Sequence, residues 1–232
     1  MKFFYLLIFI FYISDISAKE INDPYENLNR KTYEFNENLD DKIAKPIAEF
    51  YSKFPPPIKN GVTNFFNNLE EVDTFINQLL QGKPKESLND LTRFIINSTI
   101  GLAGFIDVAS KIGLERHEED FGQTLGVWGV GQGPYIMLPV LGPSTLRDTF
   151  SRPVSSFLSV TFHMTETDVN IALKSIDAIE TRERLLEVES LLSGDKYSFV
   201  KDAYIQSIYY EVKDGIDVED DFIDDMDDFL ID

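Results

Sequence analysis

The side chains able to do chemistry are few and poorly placed for it. His117-Glu118-Glu119-Asp120 gathers metal-capable groups, but Arg116 adjoins them and His163 is the only other histidine in the chain. A solvated, charged turn is expected there. Gly129-Val130-Gly131-Gln132-Gly133 echoes the glycine pattern of phosphate loops. Pro134 follows at once and no Gly-Lys-Ser or Gly-Lys-Thr occurs, so nucleotide binding is not expected. Asp217, Glu219 and Asp221 fall at alternate positions, as in a calcium loop, but Phe222 stands where that loop needs glycine and Asp228 where it needs a bidentate glutamate. Ser144 lacks the Gly-x-Ser-x-Gly elbow of a hydrolase. The chain has no cysteine, which removes disulfides, thiolate zinc sites, iron–sulfur clusters, cysteine nucleophiles and cysteine lipidation together. The expectation is a protein that is not an enzyme and uses no cofactor or metal.

Composition points the same way. In 232 residues, 43% are hydrophobic, enough for a packed domain, and the net charge of −19 repels nucleic acid phosphates. That charge is uneven. From Glu211 to Asp232 there are eleven acidic residues and one lysine, a net of −10, so the remaining −9 belongs to residues 1–210. Body and tail are different materials.

At the amino terminus, Lys2 precedes eleven apolar residues, Phe3 to Ile13, and Ser14-Asp15-Ile16-Ser17-Ala18 closes with small and polar residues. This pattern predicts a secretory signal over residues 1–18, cleaved after Ala18. Eleven helical residues rise about 16 Å, roughly half the hydrocarbon layer, so an anchor spanning the membrane is a poor fit. The mature chain is expected outside the cytoplasm, without an acyl anchor.

The elements that must position any site read as helices. Leu28, Phe35, Leu39, Ile43, Ile47, Phe50 and Phe54 share one helical face, which Pro46 is expected to kink or split. Pro55-Pro56-Pro57 imposes a stop. A second stripe then runs from Ile58 through Val62, Phe66, Leu69, Phe75 and Ile76 to Leu80, with Glu70 as the point where it could break, and Gly82 and Pro84 end it. A third helix is expected from about Ser87, acting as cap, through Leu88, Leu91 and Ile95. Val169, Leu173, Ile176 and Ile179, continuing through Leu185 to Leu192, mark another; Val200, Tyr204, Ile208 and Val212 mark the last. These stripes predict an all-α class, a single compact helical domain over residues 19–210, with the apolar faces as its core.

Two stretches, Phe94 to Gly113 and Thr124 to Pro143, are apolar yet full of glycine and proline. Val127 to Pro139 is expected to be a loop or hairpin. An apolar loop borders either the core or something apolar outside the protein, such as lipid.

The residues resemble the MlaA (VacJ) outer-membrane lipoproteins along the body, from about 22 to 210. The resemblance rests on Asp23-Pro24-Tyr25-Glu26-Asn27-Leu28-Asn29-Arg30, Thr92-Arg93-Phe94-Ile95-Ile96-Asn97, Gly101-Leu102-Ala103-Gly104-Phe105-Ile106-Asp107, Asp120-Phe121-Gly122-Gln123-Thr124-Leu125-Gly126, Gly129 to Tyr135 and Gly142-Pro143-Ser144-Thr145-Leu146-Arg147-Asp148. It implies a helical ring in the inner leaflet of a Gram-negative outer membrane, with a central amphipathic channel. Such a protein takes mislocalised phospholipid from the outer leaflet, passes it to a periplasmic lipid carrier, maintains lipid asymmetry and associates with trimeric porins. On that reading the lipid path takes in Asn97, Gly101, Gly104, Phe105 and Ile106, and in the hairpin Val127, Trp128, Gly129, Gly131, Gly133, Pro134, Tyr135, Met137 and Pro139. Small residues would let acyl chains near the backbone, and Asn97 or Gln132 could meet a headgroup. Family members carry a lipidated cysteine at the mature amino terminus; here Ala18-Lys19 stands in its place. Surface hydrophobics would then hold the protein at the periplasmic face of the membrane.

In the tail, residues 211–232, Val218, Phe222, Ile223, Met226, Phe229 and Leu230 recur at three and four between the aspartates. An amphipathic helix that docks on a basic protein groove and a solvating, disordered tail are both consistent with this pattern. A soluble periplasmic scaffold that binds porin or transport partners without conducting lipid is the alternative to the lipid path.

Overall fold

The computed structural model describes residues 23–163, 166–189 and 194–214. The signal segment, Leu191, Leu192 and the tail beyond Asp214 lie outside the described residues. Prolines place the first elements. Helix α1 (Glu26–Leu39) continues through a π turn at Asp40–Ala44 into α2 (Lys45–Tyr51), with Pro46 in its first turn. Proline has no N–H to give and crowds the preceding carbonyls, so the turn before it widens while the helix carries on. Pro56 starts α3 (Pro56–Leu80), where a missing donor costs nothing, and this helix runs unbroken past Glu70. Gly82, at φ +80°, turns the chain into α4 (Pro84–Thr99). That helix begins before Ser87, which is buried and donates to the Phe75 carbonyl at 2.9 Å, so Ser87 ties α4 to α3 and caps nothing.

After a 3-10 turn at Ser110–Ile112, the short helix α5 (Phe121–Val127) is capped by Asp120, whose carboxylate accepts from the Gln123 amide at 2.7 Å. Strands β1 (Tyr135–Leu138) and β2 (Gly142–Thr145) pair antiparallel, with Tyr135 opposite Thr145 and Leu138 opposite Gly142. The expectation of a loop or hairpin holds from Trp128 onward, as loop to Pro134 and as strand from Tyr135, and only Val127 belongs to α5. Helix α6 (Leu146–Leu158) follows directly, capped by Thr145, then α7 (Val160–His163), α8 (Thr167–Glu189) and α9 (Lys196–Val212). Helices α5 and α6 went unread in the sequence because Gly122, Gly126 and Pro153 interrupt their patterns.

Two asparagines two turns apart on α1 hold the hairpin. Asn29 donates to the Tyr135 carbonyl (3.1 Å) and accepts from the Met137 amide (2.9 Å); Asn36 does the same with Leu138 (2.9 Å) and Val140 (2.7 Å). Each side-chain amide stands in for a neighbouring strand. Ion pairs clamp α8 across the front of the chain: Arg182 to Asp40 (2.7 Å), Lys45 to Glu189 (2.8 Å) and Lys59 to Glu183 (2.6 Å).

The interior is the main surprise. Among the described residues, nineteen polar or charged side chains are buried against seven apolar ones. On α3 the inward stripe is Asn68, Glu71, Thr74, Asn77 and Gln78; on α4 it is Ser87, Asp90, Arg93 and Asn97. Much of the apolar stripes read as core points outward instead: Leu28, Phe35, Phe50, Ile58, Leu88 and Ile95 are all exposed, Val62, Leu69, Phe75 and Ile76 are half-buried, and Phe66 and Ile208 are buried. Periodicity finds a face of a helix and does not say what that face meets. A small apolar cluster does exist, with Tyr135, Met137 and Tyr197 packed against Tyr33, Val200, Tyr204 and Ile205.

Candidate functional site

Between α5, α6 and α9 lies a cavity of about 520 Å³. Helix α6 contributes one face, Arg147, Asp148, Ser151, Arg152, Ser155 and Ser156; α9 contributes Tyr204, Ser207, Ile208 and Glu211. Both sets recur at helical spacing, so each helix presents a continuous wall. Asp120, Gln123, Leu141 and Lys174 complete the lining. The opposite face of α6 carries Phe150, Val154 and Phe157, with Phe150 73% exposed. The helix is amphipathic with its polar face turned in.

Asp148 anchors this wall. It accepts from Thr145 Oγ1 (2.7 Å), Arg147 Nε (2.9 Å) and the Tyr204 hydroxyl (3.1 Å). Burial, then the Asp148 charge, pushes the Tyr204 hydroxyl above its ordinary range, so it stays protonated and donates. Burial also raises Glu211 and Asp120, and neighbouring carboxylates add to both shifts. No metal-binding group of histidine, aspartate or glutamate is present among the described residues.

The expected turn at His117 to Asp120 is solvated only in part: Glu118 and Asp120 are exposed, but the other two residues are tied in. Glu119 is buried and accepts from Gln81 (2.6 Å) and Lys83 (3.0 Å), and His117 Nδ1 lies 2.7 Å from the buried Asp90 carboxylate. Through Glu119 and His117 the turn joins α3, α4 and α5.

The residues expected along a lipid path fall into separate places. Asn97 is spent on the backbone: it donates to Asp107 (3.0 Å) and accepts from the Val108 (2.8 Å) and Ala109 (2.9 Å) amides. A Cβ at Gly101 would lie 2.2 Å from the Ile106 carbonyl, and one at Gly104 would lie 2.7 Å from Asn68, so both glycines serve close packing. Phe105 stacks on Phe65 at 5.2 Å, half exposed, and Ile106 beside it is exposed. Tyr135 and Met137 are buried in the tyrosine cluster. Gly133, at φ +70°, backs onto Leu146, next to the half-buried Pro134. Val127, Trp128, Gly129, Gly131 and Pro139 are exposed, with Trp128 Nε1 donating to the Leu80 carbonyl at 3.0 Å. None of these fourteen residues lines the cavity. Of the cavity only one wall leaves a trace in the sequence, and only once α6 is known to be a helix: Arg147, Ser151, Arg152 and Ser155 share one helical face, opposite Phe150, Val154 and Phe157.

An apolar exterior of this extent, beside an open cleft lined by charged and hydroxyl side chains, defines a helical protein whose surface calls for a cover other than water. No described helix is long and apolar enough to cross a membrane. The pattern of the MlaA lipoprotein family matches residues 21–211, and the chain belongs to that family. It is 41% identical over 192 residues to the intermembrane phospholipid transport system lipoprotein MlaA of Escherichia coli strain K12, spanning 80% of this chain and 76% of that one. To the protein of the same description in Haemophilus influenzae it is 34% identical over 209 residues, 87% and 84% of the two chains. A solved structure from work on the structural basis for maintenance of bacterial outer membrane lipid asymmetry superposes with a TM-score of 0.74 at 36% identity, covering 82% of this chain and 99% of that one.

Proposed function

We propose that this protein moves phospholipid in maintaining outer-membrane lipid asymmetry, taking mislocalised molecules from the outer leaflet and passing them to a periplasmic carrier without covalent chemistry. The observation that carries this reading is the pairing of exposed apolar stripes with an open cleft between α5, α6 and α9 lined by charged and hydroxyl side chains. A headgroup entering hydrocarbon unaided loses its water at a cost of several kcal/mol or more, and a polar cavity at membrane depth replaces those interactions. The exposed Phe105, Ile106, Val127, Trp128 and hairpin glycines are where acyl chains would run. A scaffold that conducted no lipid would have no need of the cavity.

Residence at the periplasmic face of the outer membrane, beside a trimeric porin, belongs to the same proposal. The apolar surface supplies the anchoring, since a single acyl chain gives only marginal binding by itself. The test is complementation of a Gram-negative strain deleted for its own family member, scored by labelling surface phospholipid with an impermeant amine reagent. Expression of this chain is expected to return the labelling to the parental level. Unchanged labelling, with the protein in the outer-membrane fraction, would refute the function; recovery entirely in the soluble periplasm would refute the anchoring.

A further inference from the structure

We propose that Arg152, with Ser155 one turn further along α6, is the phosphate-binding element of the cavity, and that its ligand is the monoanionic phosphodiester of a lipid headgroup. This rests on the reading of the cavity as part of the lipid path. The evidence is a comparison of the arginines. Arg30, Arg93, Arg116, Arg147, Arg182 and Arg184 each pair with a carboxylate within salt-bridge distance. Arg152 is the one arginine of the chain with no such partner among the described residues, although acidic side chains outnumber basic ones 40 to 21. One Nη reaches the Pro143 carbonyl at 3.5 Å, and its Nε, shielded from water, has no hydrogen-bond partner. The Ser155 hydroxyl on the same face is likewise buried and unpartnered. Lys174, which α8 adds to the lining, also forms no ion pair among the described residues, whereas Arg147 gives its Nε to Asp148.

A half-buried guanidinium that lines the cavity and forms no ion pair calls for an acceptor, and its planar fork matches the paired oxygens of a phosphate. The charge around it selects the kind of phosphate. Asp148, Asp120 and Glu211 line the same space, so a dianion is repelled more strongly than a diester carrying one negative charge. Leu141 and Ile208 give the lining an apolar portion against which the glycerol end of a lipid can rest.

The test is calorimetric titration of the full chain, purified in detergent, with dihexanoyl phosphatidylglycerol below its micellar concentration. Arg152→Gln is expected to weaken binding about tenfold, Arg152→Lys less, and Ser155→Ala about threefold, while phosphate-free dihexanoylglycerol binds all four proteins alike. Wild-type affinity in both Arg152→Gln and Ser155→Ala overturns the assignment; should Arg152→Gln fail to fold, Ser155→Ala decides. Inorganic phosphate that displaces the lipid at equal concentration overturns the diester as ligand. No phospholipid binding by the wild-type chain overturns the lipid path itself, a result distinct from equal binding by wild type and variants.

Discussion

Arg93 donates to Glu71 at 2.7 Å across the α3–α4 contact, with both side chains 1% exposed. Arg93 also reaches Ser110 Oγ (3.0 Å), the Leu114 carbonyl (2.6 Å) and Asp107 (3.3 Å). A buried ion pair survives desolvation only when nearly every donor is used, as here. The pair occupies the place a leucine contact would hold in a water-soluble bundle, and it fixes the register of the two helices.

Loss of Arg93 leaves the Glu71 charge buried and unmatched. Arg93→Ala should therefore cost about 3–5 kcal/mol, and Arg93→Lys, which keeps the charge but not the fork, about 2 kcal/mol. Chemical denaturation in detergent measures both, and a cost for Arg93→Ala below about 1 kcal/mol would contradict this role.

Burial pushes Glu71 up to about 7 against the pull of Arg93, and it pushes Asp73 up to about 7 with Asp120 adding to the shift. Both values lie above those of the unfolded chain, so between about pH 4 and 7 the folded state binds more protons, and stability falls as pH rises through that window. Glu70, Asp90, Glu119 and Glu211 shift the same way. A drop of about 1–3 kcal/mol from pH 5 to 8 is expected, reduced in Asp73→Asn. A melting temperature that rises over this range would contradict the assignment.

Gly101 and Gly131 look alike in the sequence and should respond oppositely. At Gly101 a methyl group meets two backbone carbonyls, 2.2 Å and 2.5 Å away, whereas nothing lies within 4 Å of one at Gly131. Gly101→Ala is expected to destabilise by about 3 kcal/mol or more and Gly131→Ala by less than about 0.5 kcal/mol. Equal melting temperatures for the two variants would be inconsistent with this packing.

Asn36 should control the hairpin locally. Asn36→Ala frees the Val140 amide and Leu138 carbonyl, at a cost of about 1–3 kcal/mol. Hydrogen exchange at Val140 should accelerate by about tenfold or more while the amides of α4 are unchanged; uniform acceleration would point to global destabilisation.

Phe150 and Phe157 project from α6 on the side away from the cavity, so they serve the exterior. The double variant Phe150→Asp/Phe157→Asp should keep its fold yet lose membrane retention in a high-salt wash by about tenfold or more, because each buried phenylalanine is worth about 2 kcal/mol. Full retention would place the membrane contact elsewhere.

Much of the element order was legible because local signals set it. Pro46, Pro55 to Pro57, Gly82 and Pro84 act on their own turns, and the later helices carried enough 3–4 periodicity to be placed within a few residues. Helix α6 was not legible, because Pro153 lies inside it and its cap, Thr145, belongs to a strand. The cavity was not legible either, since Tyr204 and Asp148 stand 56 residues apart and only folding brings them to 3.1 Å.

The sequence by itself determined the helical spacing, the absence of thiol chemistry and the family pattern, all of which depend on residue type and near neighbours. Only the tertiary structure decided which face of each helix is the inside. Amphipathicity is a direction within one helix, and its meaning comes from what surrounds it: water drives apolar faces together, whereas an apolar surrounding leaves polar groups such as Arg93, Glu71 and Asn97 to find each other in the interior.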